Sequence, residues 1–107
     1  MQLFDASLPF FKGNTHLHTT LSDGRYEPAD AIKLYKHNGY DFLVLTDHNK
    51  QSPERIESGL LVLSGLELDY TFSNQVVHMT AFALNDQVDI PTARRTALPP
   101  SALPADA

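Results

Sequence analysis

The sequence of 107 residues contains no cysteine, and only eight of its residues are lysine or arginine. Without cysteine, neither a disulfide framework nor a thiolate zinc site is available, so imidazole and carboxylate groups must hold any metal ion. The formal net charge of -5 and the scarcity of basic residues argue against an extended surface for nucleic acid. These absences restrict a metal site to hard or borderline ions.

Long apolar runs are also missing. No stretch is long enough to span a bilayer, and the N-terminus carries Asp5 where a signal peptide would have a basic region. The chain is therefore expected to be cytoplasmic, without a membrane partner. Apolar residues make up 42% of the sequence, which suffices for the modest core of one small domain.

Apolar runs and turn residues alternate along the chain and predict α/β organisation. Residues 14–18 are predicted to form a strand that leads into a turn at residues 22–24. A helix follows, since Pro28 suits its first turn, Asp30 suits its positive end, and Asn38-Gly39 provides a left-handed stop. Its expected core-facing residues are Ala29, Ile32, Leu34 and Tyr35.

Later segments continue the pattern. Residues 42–45 and 60–63 are short, continuous apolar runs, typical of strands buried on both faces of a parallel sheet. Residues 53–58 are predicted as a short helix or turn, and residues 75–84 as a fourth strand carrying His78. The domain is expected to occupy residues 1–90. Residues 91–107 hold four of the seven prolines and five alanines, which predicts a disordered tail.

Two histidines one residue apart, His16 and His18, are the first sign of a metal site. Side chains in a strand alternate between faces, so both rings would point the same way. Neutral imidazole is a common ligand for zinc, iron and manganese, although two polar residues on an exposed strand would look the same. Asp47 and His48 favour the metal site, because they end an apolar strand, where site residues of α/β folds collect.

Other candidates are ambiguous by themselves. Glu67 between two leucines is typical of a solvent-facing strand residue, and His78 is compatible with a hydrogen-bonded core histidine as well as with a ligand. Asp47 is expected to orient a metal ligand without binding the ion itself, because metal ligands need hydrogen-bonding partners. His37 is explained by its place near the negative end of the helix and receives no functional role.

Taken together, these motifs resemble the N-terminal part of the PHP superfamily, named for polymerase and histidinol phosphatase. The resemblance rests on residues 12–24, 45–49, 65–67 and His78, in that order and spacing, and is greatest to the stand-alone metal-dependent phosphoesterases. The family fold is a distorted barrel of seven β/α units. The resemblance therefore implies an α/β fold that is a truncated fragment of a (β/α)7 barrel, with about four strands.

The resemblance also implies a cluster of divalent ions (zinc, manganese, iron or magnesium) at the C-terminal face of the barrel. The implied ligands are His16, His18 and Glu67 for one ion, Glu67 and His78 for a second, and Asp23 and His48 for a third. No histidine follows His78, so the later ligands of the family have no counterpart in this sequence.

The implied function is metal-dependent hydrolysis of a phosphomonoester, with a small phosphorylated substrate, nucleotide or oligonucleotide as partner. The missing ligands leave two alternatives open. One is a non-catalytic metal-binding or interaction module. The other is a polymerase-associated PHP domain, which is less favoured because no polymerase sequence follows the motifs. An incomplete barrel has open strand edges, through which self-association is expected.

Overall fold

The structure, a computed structural model, describes residues 7–88 apart from the side chain of Phe72. One helix and six strands are found in this part of the chain. In order they are β1 (Gly13–Leu17), α1 (Pro28–His37), β2 (Phe42–Leu45), β3 (Arg55–Glu57), β4 (Leu60–Leu63), β5 (Gly65–Phe72) and β6 (Gln75–Phe82). The predicted tail at residues 91–107, and with it the predicted domain boundary, lies outside the described residues.

The strands form two sheets. The first has the order β1-β2-β4-β3, in which β1, β2 and β4 run parallel and β3 pairs antiparallel to β4. The second is the antiparallel hairpin of β5 and β6. The protein is thus mixed α/β, as predicted, and residues 7–88 contain no closed barrel. Its origin as a fragment of a (β/α)7 barrel stays a prediction.

Strand β2 lies at the centre of the packing. It is buried on both faces as predicted, because α1 packs against one face and Val44 on the other contacts the start of β5 at Gly65. Strand β4 differs from the prediction, since Leu61 remains 39% exposed. The single helix covers only one face of the sheet. The core cluster consists of Ile32, Leu43, Leu45, Leu60 and Val62.

The helix begins at Pro28 and ends at His37, as predicted. The side-chain amide of Asn38 donates to the carbonyl of Leu34, and Gly39 takes the left-handed conformation with φ of 82°. The predicted core face is partly wrong: Ala29 and Leu34 are exposed, and Ala31 is buried beside Ile32 and the half-buried Tyr35. Residues 28, 31, 32 and 35 share one face at the helical period, whereas 29 and 34 flank it.

The prediction of a helix or turn at residues 53–58 is also wrong. Arg55–Glu57 forms a strand, joined to β4 by the two-residue turn Ser58-Gly59. Both turn residues have positive φ, 51° and 78°, as the right-handed twist of a tight hairpin requires. The predicted fourth strand is confirmed as Gln75–Phe82, and it ends before Ala83, whose φ is 57°.

Three strand edges are open. Among the described residues β1, β3 and β6 each pair on one side only, whereas β5 is bonded on its other side to the segment after β2. Strand β6 also exposes Val76, Met79 and Phe82. Unpaired edges with apolar side chains favour association, so self-association through them stays a prediction. Within residues 7–88, no helix is long and apolar enough to cross a membrane.

Gly65 provides a test of how closely the two sheets pack. A Cβ atom there would lie 2.3 Å from Cγ1 of Val44 and 3.2 Å from the carbonyl oxygen of Leu45. Gly65→Ala is therefore expected to lower the free energy of unfolding by about 1–3 kcal/mol, the usual cost of overpacking a core. The measurement is the urea midpoint at unchanged m value. Lys33→Ala, on the exposed helix face, serves as the control, and equal midpoints for both variants would contradict the packing.

Candidate metal centre

The candidate site forms where β1 and β2 end and the hairpin crosses them. The backbone N–H of Glu67 donates to the carbonyl of Asp47 at 3.0 Å, and the N–H of Asn49 donates to the carbonyl of Glu67 at 2.7 Å. These two bonds attach β5 to the residues that follow β2. The polar residues that follow β2 therefore lie against Glu67.

Glu67 is the centre of the cluster. Its Oε1 lies 2.9 Å from Nε2 of His18 and 3.4 Å from Nε2 of His16. Its Oε2 lies 3.1 Å from Nδ1 of His78 and 3.4 Å from Nδ1 of His48. Glu67 is only 3% exposed, so the interpretation of a solvent-facing strand residue is wrong. His78 is half exposed, so it is not a core histidine either.

Asp23 closes the other side of the cluster. Its Oδ1 lies 2.6 Å from Nδ1 of His18, and its Oδ2 lies 3.3 Å from Nε2 of His48. His18 is thus placed between two carboxylates, one at each ring nitrogen. The six residues that the resemblance implied as ligands lie in one connected group: His16, His18, Asp23, His48, Glu67 and His78.

The pKa values reflect these contacts. Burial by itself lowers the pKa of His18, but the hydrogen bonds and charges of Glu67 and Asp23 outweigh it, so the pKa of His18 is raised above its ordinary value. For Asp23, desolvation raises the pKa, but the hydrogen bond with His18 and the charges of His18 and His48 lower it below its ordinary value. Each partner therefore favours the charged form of the other.

Two overlapping groups have the composition of a metal site. They are His16, His18 and Glu67, and His18, Asp23 and His48; within each group the ligand atoms lie within 4.8 Å of one another. Two ligands that are each about 2.1 Å from one ion lie roughly 3 to 3.4 Å apart. The nitrogen–oxygen distances of His16 and His18 to Glu67, 3.4 and 2.9 Å, match that separation.

Neutral imidazole has a single lone pair, which decides how the two groups can be used. If Nε2 of His18 ligates beside Glu67, its Nδ1–H donates to Asp23, and the second group retains Asp23 and His48. This division is the one that the resemblance implied. Imidazole and carboxylate donors together suit zinc, manganese and iron. Magnesium would be bound by the carboxylates alone.

An unsatisfied atom supports the fit of a cation. Nδ1 of His48 is buried without a hydrogen bond, although it lies 3.4 Å from both Oε2 of Glu67 and Oδ2 of Asp69. A buried polar atom without a partner is costly, and an ion bound at Nε2 of His48 would fix the tautomer in which Nδ1–H can donate to one of these carboxylates. The residues present therefore fit a divalent ion.

Asp47 has a different role from the six candidate ligands. Its buried carboxylate accepts hydrogen bonds from the backbone N–H and hydroxyl of Thr19, at 2.6 and 2.7 Å, and from the hydroxyl of Ser22 at 2.6 Å. Thr19 and Ser22 belong to the loop between His18 and Asp23. Asp47 thus holds the loop that carries a candidate ligand at each end, and its role in orienting a ligand stays a prediction.

Gly24 allows this loop to close. Its N–H donates to the carbonyl of Thr19 at 2.8 Å, and a Cβ atom on Gly24 would lie only 2.1 Å from the carbonyl oxygen of His18. Any larger residue would push the backbone of the turn away from His18. The Asp23-Gly24 pair therefore brings the carboxylate of Asp23 back to the histidine ring.

Sequence reasoning missed two residues of the site. Thr46 is buried, and its hydroxyl lies 2.8 Å from Nδ1 of His16, which leaves Nε2 facing Glu67. Asp69 faces Nδ1 of His48 and binds the side-chain amide of Asn49 through its own carboxylate. Glu67-x-Asp69 repeats the period-two spacing of His16-x-His18, so the same reasoning could have found it.

Comparison with known proteins gives no support for or against a family. No family model matches the chain, and no curated protein matches it. The PHP resemblance therefore depends on the motifs and their order, and membership of that superfamily stays a prediction. The geometry of the cluster is independent of it.

Asp69→Ala tests whether Asp69 orients His48. Loss of the carboxylate beside Nδ1 is expected to weaken binding of Zn²⁺ or Mn²⁺ about 10-fold to 100-fold, as is usual when the partner of a ligating histidine is removed. The dissociation constant is measured by competition with a chromophoric chelator. Asp30→Ala, which removes the same charge from helix α1, is the control and should leave the constant unchanged. Equal effects of the two variants would reduce the role of Asp69 to net charge.

Proposed function

We propose that this domain binds divalent metal ions and hydrolyses small phosphate monoesters or nucleotides, as a phosphoesterase of the PHP type. The observation that carries the proposal is the buried carboxylate of Glu67, which four histidine rings surround. The motif order described above supports the same family.

The first step of the argument concerns charge. A carboxylate that is 3% exposed is stable only with a cation or several hydrogen bonds. Its ion-pair partners in the described part of the chain are histidines, none of which carries a permanent charge. Asp23 and Asp69 add negative charge nearby. Divalent ions would balance this charge.

The second step concerns the chemistry. When bound, divalent ions supply Lewis-acid polarisation of phosphoryl oxygens and increase the acidity of water, and neighbouring ions can hold both oxygens of an in-line displacement. Glu67 would hold one ion with His16 and His18 and reach a second with His78; Asp23 and His48 would hold another. Thr46 bonds to the ring of His16, and Asp69 lies 3.4 Å from Nδ1 of His48, where it would orient that ring.

The third step concerns access. An open cleft of about 720 Å³ adjoins the cluster and is lined by Asp23, His48, Asp69 and His78 among others. This volume lies within the range of small-molecule sites and exceeds the needs of inorganic phosphate. The cleft therefore has room for a phosphate ester with an organic group. A small substrate of this kind does not require the extended basic surface that a nucleic acid would.

Metal content and phosphate release test the proposal together. We expect about one tightly held ion per chain, retained in His37→Ala and lost in His16→Ala and Glu67→Gln, because three ligands form the first group. Protein purified without a metal-chelating tag is dialysed and measured by elemental analysis, then assayed with p-nitrophenyl phosphate and a nucleoside monophosphate in Mn²⁺ or Zn²⁺. His37 is a matched control, being a histidine on helix α1 outside the cluster.

The possible results separate the functions. Bound metal and phosphate release, both lost in His16→Ala and Glu67→Gln, would support the phosphoesterase. Bound metal without turnover would favour the non-catalytic metal-binding module. Absence of metal from every variant would exclude both.

A further inference from the structure

We infer that Lys50 recognises the anionic group of the substrate in the cleft beside the metal cluster. The substrate class is a phosphate monoester with a partly apolar organic group. The inference rests on the proposed function, because it names what the same site binds. Its basis is the position of one ammonium group and the charge of the surrounding residues.

The cleft contains one strongly basic side chain among the described residues that line it. Its lining consists of Leu21, Ser22, Asp23, His48, Asn49, Lys50, Asp69 and His78. The carboxylates and histidines of this set belong to the candidate metal cluster or support it. Lys50 is the basic residue left over for an anionic ligand, and lysine binds phosphate as a compact point charge.

The fold fixes where Lys50 leaves the chain. Asn49 takes a left-handed conformation with φ of 55°, and its N–H donates to the carbonyl of Glu67. Its side chain is paired with Asp69, whose backbone N–H donates to Oδ1 of Asn49 at 3.2 Å. Asn49 is therefore held from two sides. The backbone turns sharply after His48 and presents Lys50 at the rim of the cleft.

The ammonium group of Lys50 then crosses to the opposite rim. It donates to the carbonyl oxygen of Leu21, at 2.5 Å, in the loop that carries Asp23. This partner is neutral, so the contact orients the ammonium without neutralising its charge. A phosphate oxygen could take the place of the carbonyl oxygen at little cost, because a charged acceptor binds the ammonium more strongly than a neutral one.

Leu21 indicates the rest of the ligand. Its side chain is about half exposed, at 48%, at the same rim as Lys50. It offers an apolar contact to the group esterified to the phosphate, while the cluster and Lys50 face the anion. An organic phosphate uses both features, whereas inorganic phosphate uses only one.

The experiment compares Lys50→Met and Lys50→Arg with the wild type and with Lys33→Met. Lys33 lies on the exposed face of helix α1, so its variant loses the same charge away from the cleft. Inorganic phosphate and p-nitrophenyl phosphate are titrated into Mn²⁺-loaded protein by calorimetry, and the KM for p-nitrophenyl phosphate is measured in parallel. Manganese affinity is measured for each variant.

We expect Lys50→Met to weaken phosphate binding and raise KM about 10-fold to 100-fold, the usual effect of losing a charged hydrogen bond. Manganese affinity should stay within about twofold, and Lys50→Arg should retain most of the binding. Lys33→Met should match the wild type. Phosphate binding by Lys50→Met within about twofold of the wild type would overturn the inference. Loss of manganese in that variant would also overturn it, because Lys50 would then only tie the two loops together.

Failure of the inference is distinguishable from failure of the proposed function. A wild-type protein that binds manganese and binds phosphate through Lys50, yet releases no phosphate, keeps the inference and rejects hydrolysis. Hydrolysis with an unchanged KM in Lys50→Met does the reverse. A wild-type protein that retains manganese but neither binds phosphate nor releases it from p-nitrophenyl phosphate overturns both.

Discussion

The burial of the Glu67 carboxylate is the constraint on which the rest of the structure depends. Backbone hydrogen bonds to the carbonyl of Asp47 and from the N–H of Asn49 lock β5 against the end of β2, and the Ser52–Gly65 bridge extends that attachment. The same bonds that join the two sheets bury the acidic side chain of Glu67 among the histidines where the sheets meet. Architecture and electrostatics are therefore linked, because the sheets cannot pack this way without creating a demand for positive charge.

Polar groups take an unusually large part in the interior. Among the residues that the structure describes, seven polar or charged residues are buried, against eight apolar ones, and several of the seven hold the site: Thr19, Thr46, Asp47, Asn49, Ser52, Ser64 and Glu67. Each satisfied bond in such a network contributes little alone, but a missing partner is costly. Whatever completes this polar network therefore contributes to the stability of the described part of the chain. If the cluster binds an ion, as proposed, folding and ion binding are coupled equilibria.

Local periodicity predicted the parts of the fold that depend on nearby residues. The period of two placed His16 and His18 on one face, and the punctuation by Pro28 and Gly39 gave the helix its limits. Local periodicity did not predict β3. Its three residues, two charged and one apolar, form a strand only through pairing with β4 across the turn at Ser58-Gly59. Local periodicity also could not show which residue contacts the second ring nitrogen of each histidine. The contact of Thr46 with His16 joins positions 30 residues apart, and only the packed structure determines it.

The charge balance of the cleft imposes an order on binding in the proposed function. Asp23, Glu67 and Asp69 repel an anion when no cation accompanies them, and the one charge of Lys50 at the rim cannot offset three carboxylates. Divalent ions offset this negative charge, so that Lys50 and the cluster can then act on the anion together. Linkage requires the converse, that a bound phosphate ester tightens the hold on the ions by the same factor. Metal retention and substrate recognition are thus two measurements of one coupling free energy.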